Sequence, residues 1–143
     1  MRAELEALCA AVEAGTGRGA HLVDAGSSAG LRYYLVEPAG ARRGADVPLS
    51  DATTAWDGLV RVKAVSASPA GAMVDLAAAR GVLVPGGVVG LVDVADRRVT
   101  LVFVRHEADY TEDVVVAATN HRLAMSVDSY RLVSVPDGTE DES

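Results

Sequence analysis

The side chains that could do chemistry in this chain are few, and their spacing argues against most reactions. His21, His106 and His121 share no ligand spacing, and none lies four residues from another on a helix. His106, Glu107 and Asp109 bring nitrogen and oxygen donors into one polar segment, but polar connections between strands commonly carry such residues, and no metal is expected there. Ser27 and Ser28 near His21 and Asp24 suggest a nucleophile, a base and an orienter. No G-x-S-x-G elbow frames them, however, and Gly26-Ser27-Ser28-Ala29-Gly30 reads as a turn. Glu112 and Asp113 are adjacent acids of the kind that solvate a loop instead of facing each other across a substrate. Gly15-x-Gly17-x-Gly19 and Pro85-Gly86-Gly87 each follow a helical pattern instead of opening one, and no G-K-S/T accompanies them. They end helices and do not cradle phosphate. Cys9 is the sole cysteine and falls on an apolar helix face, so it is a core residue and neither a disulfide nor a cysteine-rich zinc site can form within one chain. Tyr33, Tyr34, Trp56, Tyr110 and Tyr130 sit singly or in pairs with few basic neighbours, which makes no stacking platform for single-stranded nucleic acid. The residues predict no enzyme, no cofactor and no metal.

The elements that must carry these residues follow from periodicity. Leu5, Leu8, Cys9 and Val12 recur at i, i+3, i+4 and i+7, predicting a helix over 2–14 that stops at Gly15 and Gly17. Residues 21–25 suit a short edge strand, and 31–37 (LRYYLVE) a full strand. Residues 38–58 hold Pro38, Gly40, Gly44 and Pro48 without periodicity and read as a long surface loop, with Trp56 anchoring its end to the body or to a partner. Val60, Val62 and Ala64 alternate with Arg61, Lys63 and Val65 as a half-buried strand. Ser68 is placed as an N-cap with Pro69 at the first helical position. Met73, Leu76, Ala77 and Arg80 follow at helical spacing, and Pro85-Gly86-Gly87 is the stop. Residues 88–94 and 99–106 form a hairpin joined by Ala95-Asp96-Arg97-Arg98, a polar loop spans 107–113, a strand 114–118, and the last element runs over 123–135 with a bend near Asp128. The fold class is therefore α+β: a single mixed or antiparallel sheet of about four to six strands packed against two helices.

With 143 residues, the length suits one domain over 1–136, followed by an acidic tail over 137–143 that is expected to be disordered. The formal charge is −7; up to Pro136 the chain has 16 acidic against 13 basic residues, and Asp137, Glu140, Asp141 and Glu142 supply the rest. Such a balance lacks the footprint that gripping DNA or RNA requires. The first residues lack the basic region and apolar run of a signal peptide, and no apolar segment approaches the roughly 20 residues that span a bilayer. The expectation is a cytoplasmic product with no membrane contact.

The order of these pieces resembles the tail terminator (tail-completion) proteins of long-tailed, siphovirus-type phages of high-GC bacteria. The parallels are LRYYLVEP at 31–38, PLSD at 48–51, VRVKAVS at 60–66, the helix opening at Ser68, and DSYRLVSVP at 128–136. Twelve of the 13 basic residues are Arg, as a GC-rich genome favours. One departure is that Ala77-Ala78-Ala79-Arg80-Gly81 lacks the aromatic residue and Arg-rich end usual in relatives. The resemblance implies a structural virion protein located in the tail, and in host cytoplasm during assembly. It implies a homohexameric ring that caps the tail tube protein, stops its polymerisation and meets the head-tail connector or stopper protein, with DNA passing through the lumen without specific binding. A different head-tail joining protein or a small cytoplasmic interaction module is the alternative. Ring contacts are expected in 38–58 and 107–120, at Arg42, Arg43, Asp46, Leu49, Asp51, Trp56, Asp109, Tyr110, Glu112 and Asp113.

Overall fold

A computed structural model describes residues 2–22, 30–42 and 55–136. Its elements run α1 (Arg2–Thr16), β1 (Ala20–Leu22), β2 (Tyr33–Arg42), β3 (Trp56–Ser66), α2 (Pro69–Leu83), β4 (Val89–Val94), β5 (Arg97–Val116) and β6 (Thr119–Pro136). The strands form one sheet in the order β1-β2-β3-β6-β5-β4. The β1–β2 pair is parallel and all other neighbours are antiparallel. The sheet curls into a half-barrel. α1 touches both edge strands, β1 and β4, and packs on α2, which lies over β3 and β6. This is the α+β class expected, with six strands and two helices.

The core lies between the helices and one face of the sheet. Leu5, Leu8, Cys9 and Val12 of α1 meet Leu76, Ala79 and Leu83 of α2 and the inward row Tyr34, Val36, Val60, Val62, Ala64, Tyr130 and Leu132. That row follows from period-two alternation: a one-residue slip would turn every one of these side chains to the other face. A smaller cluster, Tyr33, Val65, Leu123 and Met125, is buried on the opposite face.

Several boundaries differ from those predicted. Residues 38–42 continue β2, and β3 begins at Trp56, so the expected loop over 38–58 is shorter at both ends. Pro38 is tolerated because the β2–β3 register shifts between Pro38 and Ala41, and a strand irregularity accepts a residue that cannot donate. Arg97 and Arg98 pair with Val94 and Asp93, which leaves Ala95-Asp96 as the turn, with Asp96 at φ 63°. The expected polar loop over 107–113 is strand: β5 runs unbroken to Val116 and pairs with β6 through Val116↔Thr119. Charged residues read as loop because β5 is largely exposed there, and cross-strand pairing overrides local propensity. The helices start where expected, and α1 runs two residues further than predicted, through Gly15 to Thr16. Gly17 stands at φ 77° just past α1, while Ser68 caps α2 by accepting from the Gly71 backbone N–H at 3.1 Å. The inward face of α2 is Ala72, Asp75, Leu76, Ala79 and Leu83; Met73 and Ala77, expected on that stripe, point to solvent.

Candidate interaction surface

Two β-bulges on β5 flank His106, one between Phe103 and Arg105 and one between His106 and Ala108. A bulge re-aims side chains, and here His106 and Asp109 are turned toward β6. His106 Nδ1 lies 3.1 Å from Asp128 Oδ1, and His106 Nε2 lies 2.9 Å from Asp109 Oδ2. Asp109 also accepts from the Ser126 hydroxyl. Fully buried Asp128 accepts twice from Arg80 of α2, at 2.8 and 2.7 Å, and the Arg80 guanidinium lies 4.6 Å over the Phe103 ring. Both imidazole nitrogens can serve carboxylates at once only as donors, so the arrangement favours the imidazolium. The Asp109 hydrogen bond, and then Asp128, push the His106 pKa above its ordinary value. Hydrogen bonds from Ser126 and His106 hold Asp109 below its own.

This relay acts as a clamp, tying β5 to β6 through Ser126 and Asp109 and both strands to α2 through Asp128 and Arg80. Two further clamps tie helices to strands. Ser134 donates to Glu4 at 2.7 Å and Arg97 Nε lies 3.1 Å from the same carboxylate, joining α1 to β6 and β5. Burial pushes the Glu4 carboxyl up, but hydrogen bonds from Ser134 and the backbone outweigh it and leave the pKa lowered. Asp75 of α2 takes a two-point bond from Arg32 at 2.7 Å, and Tyr34 donates to the Asp75 carbonyl at 2.6 Å. Among the described residues no group of three or more His, Cys, Asp and Glu is arranged to hold a metal ion, so His106, Glu107 and Asp109 do not gather as one. Glu107 turns away to Arg61 at 2.6 Å and Arg105 at 3.3 Å. Cys9 is buried and its thiol is pushed up to about 11 by burial and by Glu13 and Glu6.

The expected contact residues divide. Arg43, Asp46, Leu49 and Asp51 lie outside the described residues, as do Asp24, Ser27, Ser28 and the acidic tail. The Arg42 backbone is strand, paired with Asp57. Trp56 is buried at the start of β3, and its indole N–H meets no acceptor among the described residues. Asp109, Tyr110, Glu112 and Asp113 are all exposed on β5. Tyr110 takes the Lys63 ammonium 5.6 Å from its ring centre, and Asp113 sits 3.4 Å from Arg122. The fold thus brings these four together on one hairpin strand, joined by the relay to α2.

A second surface carries no motif. Between Lys63 and Asp93 only Asp75 and Arg80 are charged, and both turn into the body through the pairs just described. The exposed side of α2 is therefore Ala70, Met73, Val74, Ala77, Ala78 and Gly81; Val88 just before β4, and Val89 and Leu91 on the sheet face turned away from α2, are exposed as well, next to exposed Asp93. Met73, Val74 and Leu91 are 56%, 64% and 79% exposed. On α2, Met73 and Val74 thus sit on a helix face without outward charge. The low charge of residues 64–92 was the available signal. No protein-family model matches the chain, and no curated protein matches it.

Proposed function

We propose that this protein is a structural assembly protein of the tail terminator kind. Copies form a closed ring, expected to be a hexamer, that caps the tail tube protein and presents its other face to the head-tail connector. The observation that carries the reading is the pairing of a charge-free exposed face on α2 with polar side chains that are spent on internal clamps. A surface so arranged serves contact with other chains, whereas a reaction site needs polar groups left open to a substrate. The order of sequence segments supports the same reading. Six copies at −7 each carry −42, and acidic walls let DNA pass without adhering.

Light scattering coupled to size exclusion, with negative-stain microscopy of the same fractions, tests this. Six-fold rings, alone or on the ends of tubes made by the tail tube protein, are expected. A chain that stays monomeric and leaves tube ends bare and growing would overturn it.

A further inference from the structure

We infer that the tip of the β5–β6 hairpin of one copy seats against the uncharged strip beside α2 of the next copy. The inference rests on the ring reading and names the contact that builds the ring. From Val114 to Asn120 the chain reads VVVAATN, with no charged residue between Asp113 and Arg122. Val115 is 69% exposed, and Ala117 and Ala118 form the exposed turn. The molecule therefore carries two uncharged surfaces, a narrow projecting one and a broad receiving one, at different places on a body that is otherwise densely charged.

Local geometry gives the receiving surface a seat. A cleft of about 190 Å³ opens between the start of α2 and the base of the hairpin, lined mainly by Pro69, Met73, Tyr110, Ala124 and Met125, with the hydrogen-bonded pair Asp109 and Ser126 as its polar members. The chain's own tip does not fill it. The hairpin that carries the tip also forms one wall, and four residues of strand put Val115 about 13 Å beyond Thr111. A second copy can supply what the first cannot.

The tip itself is built as a knob. Ala117 and Ala118 both hold positive φ, 51° and 65°, in a two-residue turn whose positions ordinarily go to Asn and Gly. Alanine there costs roughly 1 kcal/mol per residue. Backbone strain kept at a protruding tip, where a cheaper residue would serve the turn, fits a surface chosen for apolar contact.

Charge decides the pairing. Copies of like sign repel wherever their charged faces meet, and the cores of protein contacts are depleted of charge. Tip against strip brings a single carboxylate of the seat, Asp109, near the contact, and that carboxylate is already held by His106 and Ser126. Because the two surfaces differ, the contact is heterologous and propagates from copy to copy until it closes. Closure then holds each copy by two contacts, which makes a small tip sufficient.

Cysteine cross-linking tests the contact, since the native Cys9 is buried with a raised pKa and stays silent under mild oxidation. Val115→Cys and Met73→Cys change exposed side chains, and circular dichroism checks that both variants fold. Mixed in equal amounts and oxidised, they are expected to give disulfide-linked dimers well above the level of either variant alone. The chain carrying both substitutions is expected to give a ladder ending at six. No excess of mixed dimers, or dimers formed as readily by one variant alone, overturns the inference. A six-fold assembly in light scattering without mixed dimers keeps the ring and discards this contact. A ladder closing at another number keeps the contact and discards the hexamer.

Discussion

Asp128 is the residue on which most of the buried polar structure turns. It has no exposed side-chain surface, and it binds Arg80 through both oxygens and His106 through one. Asp128→Asn leaves Arg80, itself about one-third exposed, without its two-point partner and is expected to cost about 1–3 kcal/mol, read as a lower midpoint in urea unfolding. His106 gives a pH signature. Its pKa is raised in the folded chain, so its contribution is complete below about 6.5 and is lost as pH rises through the folded value. Glu4, Glu107 and Asp109 are lowered and act oppositely, their contribution present above the ordinary carboxylate range and lost in acid. Stability is thus expected to peak between the two ranges. The difference in melting temperature between wild type and His106→Gln should be largest below pH 6 and shrink toward pH 9. Because more than a third of the His106 side chain is exposed, solvent screening keeps that difference within about 1 kcal/mol.

α2 and β4 approach closely at Gly90. A side chain built on Gly90 would collide with the Leu83 carbonyl oxygen, a backbone atom of the last helical turn, whereas one on Gly86 would enter open space. Gly90→Ala is therefore expected to cost at least about 2 kcal/mol, since overpacking against backbone forces the element to move, while Gly86→Ala should be close to neutral. Chemical denaturation of the two variants side by side checks the contrast. The bulges of β5 act at the same scale. They turn a long hairpin into a device that ties its outer strand back to α2 through His106 and Arg80, so the strand carrying the exposed acids and the helix carrying the charge-free strip are held as one unit.

For the molecule as a whole, the decisive quantity is its charge relative to where that charge is absent. Copies at −7 repel, and the proposed contact contains no ion pair to be weakened by salt. Raising salt from about 0.05 to 0.5 M shortens the Debye length from roughly 14 Å to 4 Å and should strengthen self-association. Sedimentation velocity at the two concentrations measures this; dissociation at high salt would point to a contact made by ion pairs.

What could be read from the residues was local. The apolar spacing of Leu5, Leu8, Cys9 and Val12, the cap at Ser68-Pro69 and the alternation of Val60, Val62 and Ala64 each specify an element through neighbours within a few positions, and all three stand in the fold. The run 107–113 could not be read in the same way. Its charged residues look like loop because nothing nearby in sequence offers them a partner, and it is β6, paired from Asp109↔Ser126 to Asp113↔Arg122, that makes them strand. The same holds for Asp75, Arg80 and Asp128. Each is an ordinary charged residue in sequence, and only long-range approach supplies Arg32 to the first and joins the other two, 48 residues apart. Once those charges turn inward, the outward side of α2 is left bare, and the chain gains a contact surface that its composition hinted at but could not place. Short-range periodicity chooses helix or strand; which charges are buried, and hence which surface is free of them, depends on contacts that exist only after the sheet has curled.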